Sequence, residues 1–218
     1  MAFGINGFQA VIWNMDGTLA DTRELHYQTW CAAGREVGLP VSRELFLRAN
    51  GENGLHAGRL MAAGTPVDVE ALVARKEILF REMAGGFVRI LPGVQIWLER
   101  FARHGLRQAI ASSGSRENMD AVVRAMRIRS YFSTLVSGEG CGRKPAPAAF
   151  LMTARKLNVP PEACLVIEDT PAGVEAAHRA GMKCIAAATT NPEETLRGAD
   201  ILVPSLSGLT EDHFRYLG

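Results

Sequence analysis

The stretch QAVIWNMDGTLADT, residues 9–22, places a run of apolar residues directly before a polar turn. Where the run ends, polar side chains occupy alternate positions, at Asn14 and Asp16. Residues two apart in a strand share a face, so we expect both side chains to leave the carboxyl end of a buried strand together and to face one ligand crevice. Taken alone, the Asp16-Gly17 dipeptide would equally fit a tight hairpin turn.

Further apolar runs of strand length alternate with segments of helical periodicity. Strands are expected at residues 9–13, 107–111, 134–137, 163–167, 183–187 and 201–203, and helices at residues 94–104, 116–126, 146–157 and 172–180. Nearly continuous apolar strands are typical of a parallel sheet that helices cover on both faces. The alternation therefore predicts an α/β fold with a doubly wound, Rossmann-like parallel sheet.

Residues 22–86 interrupt this alternation, because they show helical periodicity, punctuated by Gly and Pro, and no convincing strand. Helices are expected there at residues 24–37, 42–49, 54–63 and 67–83. A helical block after the first strand predicts a cap over the carboxyl edge of the sheet, where ligands bind in such folds. We therefore expect an α/β core of residues 1–21 and 87–218 and an inserted helical cap domain of residues 22–86.

The composition is that of an ordinary soluble globular protein, with 218 residues of which 47% are hydrophobic and 22% charged. Its 24 Lys and Arg against 23 Asp and Glu give a formal charge of +1, which offers no electrostatic case for binding nucleic acid or an anionic membrane. No apolar run reaches the roughly 18 residues of a membrane span, and the chain's start lacks a signal-peptide pattern. The four cysteines lie far apart. We expect a reduced cytoplasmic protein that is a monomer or a weak dimer.

Polar residues also follow the second and third strands of the predicted sheet. Ser112 begins a Ser-Ser-Gly-Ser turn before a helix, where hydroxyl and backbone N–H groups suit a phosphate. A helix-capping serine is the alternative, and it fits Ser115 better than Ser112. Lys144 lies in a loop between a glycine-arginine pair and a proline, which favours a directed ammonium group over the solvated one that a lone lysine usually provides.

The fourth strand ends in an acidic pair, Glu168 and Asp169. Like charges raise each other's pKa, so such a pair is costly unless a cation binds it. Capping of the next helix by Asp169 is the alternative. Together with Asp16, the pair offers hard oxygen ligands, while Lys144 offers a cation and Ser112 a hydrogen-bond donor. This set predicts a site for Mg²⁺ and a phosphoryl group.

In this order the motifs resemble those of the haloacid dehalogenase superfamily. The first motif is matched by VIWNMDGTLADT, the second by Ser112, the third by Lys144 in GRKPAP and the fourth by VIEDTPAGVEAA. A helical cap between the first two motifs is similar to that of the subgroup containing β-phosphoglucomutase and sugar-phosphate phosphatases. Residues 24–26 and 75–76 resemble cap elements of that subgroup, and LPGV at residues 91–94 marks the return to the core.

The resemblance implies a mechanism and a role for each matched residue. In the family, the first aspartate of the opening motif attacks phosphorus to form an aspartyl phosphate, and the second, matched by Asp16, protonates the leaving group and activates water. The resemblance places Mg²⁺ between residue 14, the backbone carbonyl of Asp16 and the carboxylate of Asp169, with Glu168 acting directly or through water. Ser112 and Lys144 would hold the transferring phosphoryl group.

Asn14 departs from this pattern, because it stands at the position of the nucleophilic aspartate. An amide has the shape of a carboxylate but lacks the anionic oxygen, so it is a poor nucleophile and a weaker metal ligand. We therefore expect a chain that binds Mg²⁺ and phosphate esters yet turns over very slowly. Three explanations are open: a substrate-trapping substitution, favoured because every other motif is intact; natural loss of activity in a binding or regulatory protein; and, as the third, a different nucleophile.

Substrate choice is expected to reside in the cap. The candidate substrate-binding residues are His26, Asn53, Arg59 and Lys76 of the cap and Ser113 of the core, with a solvated polar helix face as the alternative for the cap residues. The predicted function is a Mg²⁺-dependent phosphatase of a small phosphorylated metabolite, such as a sugar phosphate. A phosphosugar mutase and a phosphometabolite-binding pseudoenzyme are the alternatives. The mutase is weakened because Gly54 stands where β-phosphoglucomutase carries an arginine that grips a second phosphate.

Overall fold

The structure is a computed structural model that describes residues 7–49 and 54–217. Its strands are β1 (Ala10–Trp13), β2 (Ala20–Asp21), β3 (Arg89–Ile90), β4 (Arg107–Ser112), β5 (Thr134–Ser137), β6 (Cys164–Glu168), β7 (Lys183–Ala187) and β8 (Ile201–Val203). Its α-helices are α1 (Arg23–Glu36), α2 (Arg43–Arg48), α3 (Gly54–Met61), α4 (Val69–Phe87), α5 (Val94–Arg103), α6 (Arg116–Ala125), α7 (Ala148–Leu157) and α8 (Pro171–Arg179).

Six of the strands form one parallel sheet in the order β5-β4-β1-β6-β7-β8. β1 lies between β4 and β6, and Trp13 pairs with Ile110 on one side and with Ile167 on the other. The strand order thus changes direction at β1, with β4 on one side and β6 on the other. In such sheets a ligand crevice forms at the carboxyl end of the strand where this change occurs. The predicted doubly wound α/β fold is confirmed.

Helices cover both faces of the sheet, and this explains why the residues of β1 are apolar. Val11 and Trp13 point into a cluster that includes α5 and α6, whereas Ala10 and Ile12 point into a second cluster with α7 and α8. All four are fully buried. A strand buried on both faces needs a continuous apolar run rather than an alternating one.

Helices α1 to α4 follow one another between β2 and β3, and we call residues 23–87 the helical segment. It has an apolar cluster of its own, in which Trp30, Phe46, Met61 and Leu72 are buried. The four helices fall where the sequence indicated helices, although α4 continues through two glycines to Phe87. Their division from the core as a separate domain, with the limits 22 and 86, stays a prediction.

A two-stranded antiparallel sheet joins the helical segment to the core, with Ala20 opposite Ile90 and Asp21 opposite Arg89. The sequence did not indicate it, because strands of two residues carry no detectable periodicity. Near the carboxyl terminus lies a 3₁₀ helix, Glu211–Tyr216. No helix in the described ranges is both long and apolar enough to cross a membrane.

Gly93, which precedes α5, is a position that the fold reserves for glycine. Its φ is +84°, and an added Cβ would overlap main-chain atoms of Leu206 and Ser207. Gly105 has a similar φ of +76° but no atom within 4 Å of an added Cβ. A substitution at Gly105 therefore tests backbone strain alone, whereas a substitution at Gly93 tests backbone strain and steric overlap together.

We expect Gly105→Ala to cost about 1 kcal/mol, from the left-handed backbone alone. Gly93→Ala should cost a further 1–3 kcal/mol, roughly, because the chain around Leu206 must move away. Urea unfolding followed by circular dichroism measures both variants. Equal losses would show that the contact between α5 and residues 206–207 does not constrain the fold.

Candidate functional site

A cavity of about 150 Å³ lies between the carboxyl edge of the sheet and the helical segment. The core contributes side chains from several strand ends to its wall, and the helical segment contributes aromatic and charged side chains. Its polar core residues include Asn14, Asp16, Ser112, Ser113, Lys144, Asp169, Thr170 and Thr190, and the helical segment adds His26, Trp30, Phe46, Lys76, Glu77 and Phe80. Side chains that are far apart in sequence thus face one enclosed space, as the sequence predicted for the strand ends.

Asn14 lies at the centre of this arrangement and is only 7% exposed. Its Nδ2 donates to Asp169 Oδ1 at 2.8 Å and to the Asp16 carbonyl at 2.9 Å, and lies 3.4 Å from Thr18 Oγ1. Its Oδ1 accepts from Lys144 Nζ at 3.2 Å. An ammonium group only donates and a carboxylate only accepts, so the network fixes the orientation of the amide.

Asp169 is buried and receives hydroxyl and amide donors on both oxygens. Oδ1 accepts from Thr18 at 2.8 Å as well as from Asn14, and Oδ2 accepts from the Thr190 hydroxyl. Burial, followed by the charge of Glu168, raises the pKa of Asp169 to about 7, although these hydrogen bonds act in the opposite direction. Its donors are all neutral, so the Asp169 charge is the less well compensated of the two neighbouring carboxylates.

Glu168 is fully buried and forms an ion pair with Lys144. Its other oxygen accepts from the backbone N–H groups of Asp169 and Thr170, at 2.9 and 3.0 Å, and from the Thr170 hydroxyl. Glu168 is not among the cavity-lining residues, and its expected action on a metal ion, directly or through water, stays a prediction. It orients the Lys144 ammonium towards Asn14 and anchors the start of α8.

The residues that cap α6 and α8 bear on two alternatives that the sequence left open, helix capping by Ser112 and helix capping by Asp169. Ser115 caps α6 by accepting from the backbone N–H of Asn118, which leaves Ser112 for the cavity. α8 is capped by Thr170, whose hydroxyl accepts from Gly173 N at 3.0 Å. The Asp169 carboxylate therefore does not cap α8 and faces the cavity instead.

Asp16 faces the cavity from the turn after β1. Its Oδ1 accepts from the Thr22 hydroxyl at 2.6 Å and lies 3.5 Å from His26 Nε2. Burial acts to raise the pKa of Asp16, but the hydrogen bond and the charge of His26, with the Thr22 hydroxyl, hold it below its usual value. Asp16 is thus held as a carboxylate, the form that accepts a proton.

His26 and Lys76 form the wall of the cavity opposite Asp16. Lys76 Nζ lies 2.9 Å from His26 Nδ1 and 2.9 Å from Glu77 Oε1, and the Lys76 side chain is only 3% exposed. Burial lowers the pKa of Lys76 despite the opposing charge of Glu77, and burial and the Lys76 charge lower the pKa of His26. Because the ammonium donates, His26 Nδ1 accepts, which places the hydrogen of the neutral ring on Nε2, towards Asp16.

Ser112 is buried at the end of β4, where its Oγ accepts from Gly114 N at 3.1 Å. A hydroxyl that accepts from the backbone still has its own hydrogen to donate, so Ser112 can act as a donor at the cavity wall. Ser113 lines the cavity beside it.

One of the predicted substrate-binding residues that the structure describes, Arg59, is not found at the cavity. Arg59 is exposed on α3 and does not line the cavity, because its position on the helix faces away from the core. Asn53 lies outside the described residues.

Sequence reasoning also missed residues that complete the site. Thr18 and Thr22 lie within the quoted first motif, and Thr190 follows the end of β7, so each had the same signal as the residues that were singled out. Glu77 had none, since it lies within a continuous helix.

The donor atoms around Asn14 allow a test of whether Mg²⁺ fits. In the part of the chain that the structure describes, no group of three or more His, Cys, Asp and Glu side chains is arranged to hold a metal ion. However, a carboxylate oxygen of Asp169, the Asp16 carbonyl and the Thr18 hydroxyl converge on Asn14 Nδ2. Hard oxygens of this mixed kind are those that Mg²⁺ prefers, and an oxygen from residue 14 would complete them, so the residues fit the ion.

We expect Asn14→Asp to destabilise the protein by about 1–3 kcal/mol in chelator, because an N–H donor is replaced by an oxygen that faces two other oxygens. The loss should be larger at pH 8 than at pH 5, since paired carboxyl groups have raised pKa values in the folded state and are ionised at the higher pH. Millimolar Mg²⁺ should reverse it. Thermal unfolding with and without Mg²⁺ measures these effects.

Asn118→Asp is the matched control, because the Asn118 amide donates to the Glu77 carboxylate elsewhere on the cavity wall. This variant should also lose stability, but Mg²⁺ should not restore it. Equal responses of the two variants to Mg²⁺ would rule out a specific ion site at residue 14.

Comparison with known proteins agrees with this geometry. The family model of haloacid dehalogenase-like hydrolases matches residues 11–187. A 5-amino-6-(5-phospho-D-ribitylamino)uracil phosphatase of Arabidopsis thaliana is 31% identical over 209 residues, which cover 94% of this chain but only 56% of that protein. β-Phosphoglucomutase of Bacillus subtilis is 28% identical over 212 residues, covering 93% of this chain and 92% of that enzyme.

A solved structure shares the whole architecture. It is an aspartate-to-asparagine mutant of CbbY from Rhodobacter sphaeroides in complex with xylulose-(1,5)bisphosphate, with a TM-score of 0.84, 27% identity and coverage of 93% of this chain and 96% of that one. The resemblance drawn from the motifs is thereby confirmed. With a family match over most of its length and this fold, the chain belongs to the haloacid dehalogenase-like hydrolases, among their phosphomonoester hydrolases.

Proposed function

We propose that this site is that of a Mg²⁺-dependent phosphatase of small phosphorylated metabolites, of the sugar-phosphate type, and that Asn14 makes the chain an impaired or substrate-trapping form. The observation that carries the proposal is that Asn14, Asp16, Ser112, Lys144 and Asp169 line one cavity although they come from separate strand ends. We further propose that the chain works in the cytoplasm as a monomer or weak dimer, without nucleic acid or membrane as a partner.

The phosphoryl group would be held between donors that the fold keeps in place. The Lys144 ammonium is paired with the buried Glu168 and points to residue 14, and the Ser112 hydroxyl lies at the end of a neighbouring strand. A fixed cation and a fixed donor neutralise the charge of the transferring group without reorganising during the reaction. Both would also bind a phosphate ester when no reaction follows.

Residue 14 would supply the nucleophile in the active form. An aspartate there would form a bond from its carboxylate oxygen to phosphorus as the bond from phosphorus to the ester oxygen breaks, and the departing oxygen would take a proton that the Asp16 carboxylate has first accepted from solvent. Asp16, again a carboxylate, would then take a proton from the water that hydrolyses the acyl phosphate. The Asn14 oxygen is neutral and already accepts from Lys144, so it attacks phosphorus poorly.

The contacts of Asp16 support its proposed role in proton transfer. Thr22 and His26 both contact its Oδ1, and the lowered pKa keeps it in the form that takes a proton from water. His26 and Thr22 therefore orient the group that the family resemblance makes the acid and base.

Mg²⁺ would be held by the carboxylate of Asp169, the carbonyl of Asp16 and the oxygen of residue 14, and would supply charge neutralisation for the phosphoryl group. The Thr18 and Thr190 hydroxyls hold the Asp169 carboxylate in the orientation that this requires.

The walls of the cavity favour hydrolysis over the mutase alternative. A mutase has to hold two phosphate groups, yet Gly54 contributes no side chain to the wall and Arg59 does not line it. The helical segment closes the space with Trp30, Phe46 and Phe80. A cavity of about 150 Å³ suits one phosphate with a small organic part.

Restoring the nucleophile is the direct test. Asn14→Asp should raise the hydrolysis of p-nitrophenyl phosphate with Mg²⁺ by about 10³-fold or more, since the loss of a nucleophile costs enzymes factors of this size or greater. A panel of sugar phosphates assayed by phosphate release would then rank the substrates. The original chain and Asn14→Ser serve as controls. Tight binding of phosphometabolites with no turnover by the Asn14→Asp protein would instead establish a pseudoenzyme.

The role of Asp16 is tested in the Asn14→Asp background. Adding Asp16→Asn should lower kcat by about 10²–10⁴-fold, the range for loss of a general acid or base. The residual activity should depend more steeply on the pKa of the leaving group, because its oxygen then departs without a proton. Asp21→Asn, at an exposed carboxylate on β2, is the control and should leave this dependence unchanged. An Asp16→Asn enzyme with unchanged kcat would exclude Asp16 as the proton-transfer group.

A further inference from the structure

The cavity adjoins a wider cleft of about 780 Å³ on its open side. The cleft runs between the helical segment and the loops that follow β4, β5 and β6. Six residues line both spaces: Gly54, Glu77, Ser113, Gly114, Lys144 and Thr170. A substrate whose phosphate lies at Lys144 would therefore extend from the cavity into the cleft past the other five residues.

Glu77 stands at this junction, and of the described acidic residues it alone lines both spaces. It is held from two sides: Oε1 contacts Lys76 Nζ at 2.9 Å, and Oε2 accepts from the Asn118 amide on α6. Asn118 is itself fixed by Arg81, which donates to its Oδ1 at 3.2 Å. The carboxylate is thus immobilised where the body of a substrate would pass.

In the cleft, a ligand meets the Glu77 carboxylate and not its partner cation. The Lys76 side chain is 3% exposed and lines the cavity but not the cleft, whereas the Glu77 side chain is 20% exposed and lines both. The two charged residues that line the cleft but not the cavity, Glu139 and Arg143, have opposite formal charges. Burial acts to raise the pKa of Glu77, but the Lys76 charge and the Asn118 hydrogen bond hold it below its usual value.

We propose that Glu77 determines substrate specificity by repelling a second anionic group and accepting hydrogen bonds from hydroxyl groups, so that the site selects phosphate monoesters with a neutral, hydroxylated body. A fixed like charge next to a bound group opposes binding and is an effective way to exclude a competing ligand. The proposal rests on the proposed function, since it concerns the substrate of the same site.

Inhibition constants test this without knowledge of the natural substrate. In the Asn14→Asp protein, fructose 6-phosphate and fructose 1,6-bisphosphate are compared as competitive inhibitors of p-nitrophenyl phosphate hydrolysis. We expect the monophosphate to bind more tightly, and Glu77→Gln to shift the ratio of the two constants by about tenfold in favour of the bisphosphate.

Glu82→Gln is the matched control, because Glu82 is exposed on the same helix and lines neither space. It should leave the ratio unchanged. If Glu77→Gln weakens both inhibitors equally, Glu77 has only a structural role and the proposal is overturned. An Asn14→Asp protein that does not hydrolyse p-nitrophenyl phosphate would contradict the proposed function, and calorimetric binding of the two sugar phosphates to the original chain would still test Glu77.

Salt provides a measurement that does not depend on a variant folding. The Debye length falls from about 10 Å at 0.1 M to about 3 Å at 1 M ionic strength. If repulsion causes the preference for the monophosphate over the bisphosphate, the difference between their affinities should therefore become smaller as salt is added. In the original chain, calorimetric titration with the two sugar phosphates at low and high salt should show this narrowing. A preference for the bisphosphate at low salt would overturn the proposal.

Discussion

Two neighbouring carboxylates, Glu168 and Asp169, are buried at the end of β6, and the site depends on how the protein compensates their charges. Glu168 has a full complement: the Lys144 ammonium on one oxygen and the N–H groups at the start of α8 on the other. Asp169 has hydroxyl and amide donors only, and its pKa is raised to about 7. The uneven compensation concentrates unsatisfied negative charge at the wall of the cavity, where a cation and a phosphoryl group can use it.

The same two carboxylates explain the glycines of the first and fourth motifs. An added Cβ on Gly17 would overlap Asp169 Oδ2, and one on Gly173 would overlap the carboxyl group of Glu168. Gly17 also needs its φ of +77° to turn the chain after β1. The glycines are thus required because the backbone passes directly against the buried charges, and the motif spacing reflects packing as much as catalysis.

The sequence predicted the parts of the molecule that local periodicity encodes. The six core strands and the strand ends that carry Asn14, Ser112 and Asp169 follow from apolar runs and the polar residues that end them. The β2–β3 pair is too short to have a period, and the role of Glu77 depends on α4 packing beside α6, a contact between segments distant in sequence.

The direction of side chains is a second feature that the sequence did not predict. Arg59 was considered because it is charged and lies in the predicted cap, but the direction in which a helical side chain points is set by how α3 packs. Glu168 was grouped with Asp169 because the two are adjacent, yet consecutive residues of a strand point to opposite faces, and only Asp169 reaches the cavity. A sequence pattern indicates which residues gather at an edge, and packing decides which of them face the ligand.

Asn14 shows that the architecture of the site and its chemistry have different requirements. The amide donates to Asp169 and accepts from Lys144, so it joins an under-compensated carboxylate to a fixed cation with no charge of its own. An aspartate would gain the nucleophilic oxygen but place a further negative charge beside Asp169, a conflict between stability and activity that is common in active sites. Because the amide keeps both partners in place, the proposed phosphate-ester site does not depend on a nucleophile at residue 14. Under the proposed function, the contacts that bind a phosphate ester in this chain are those that an active form would use for transfer.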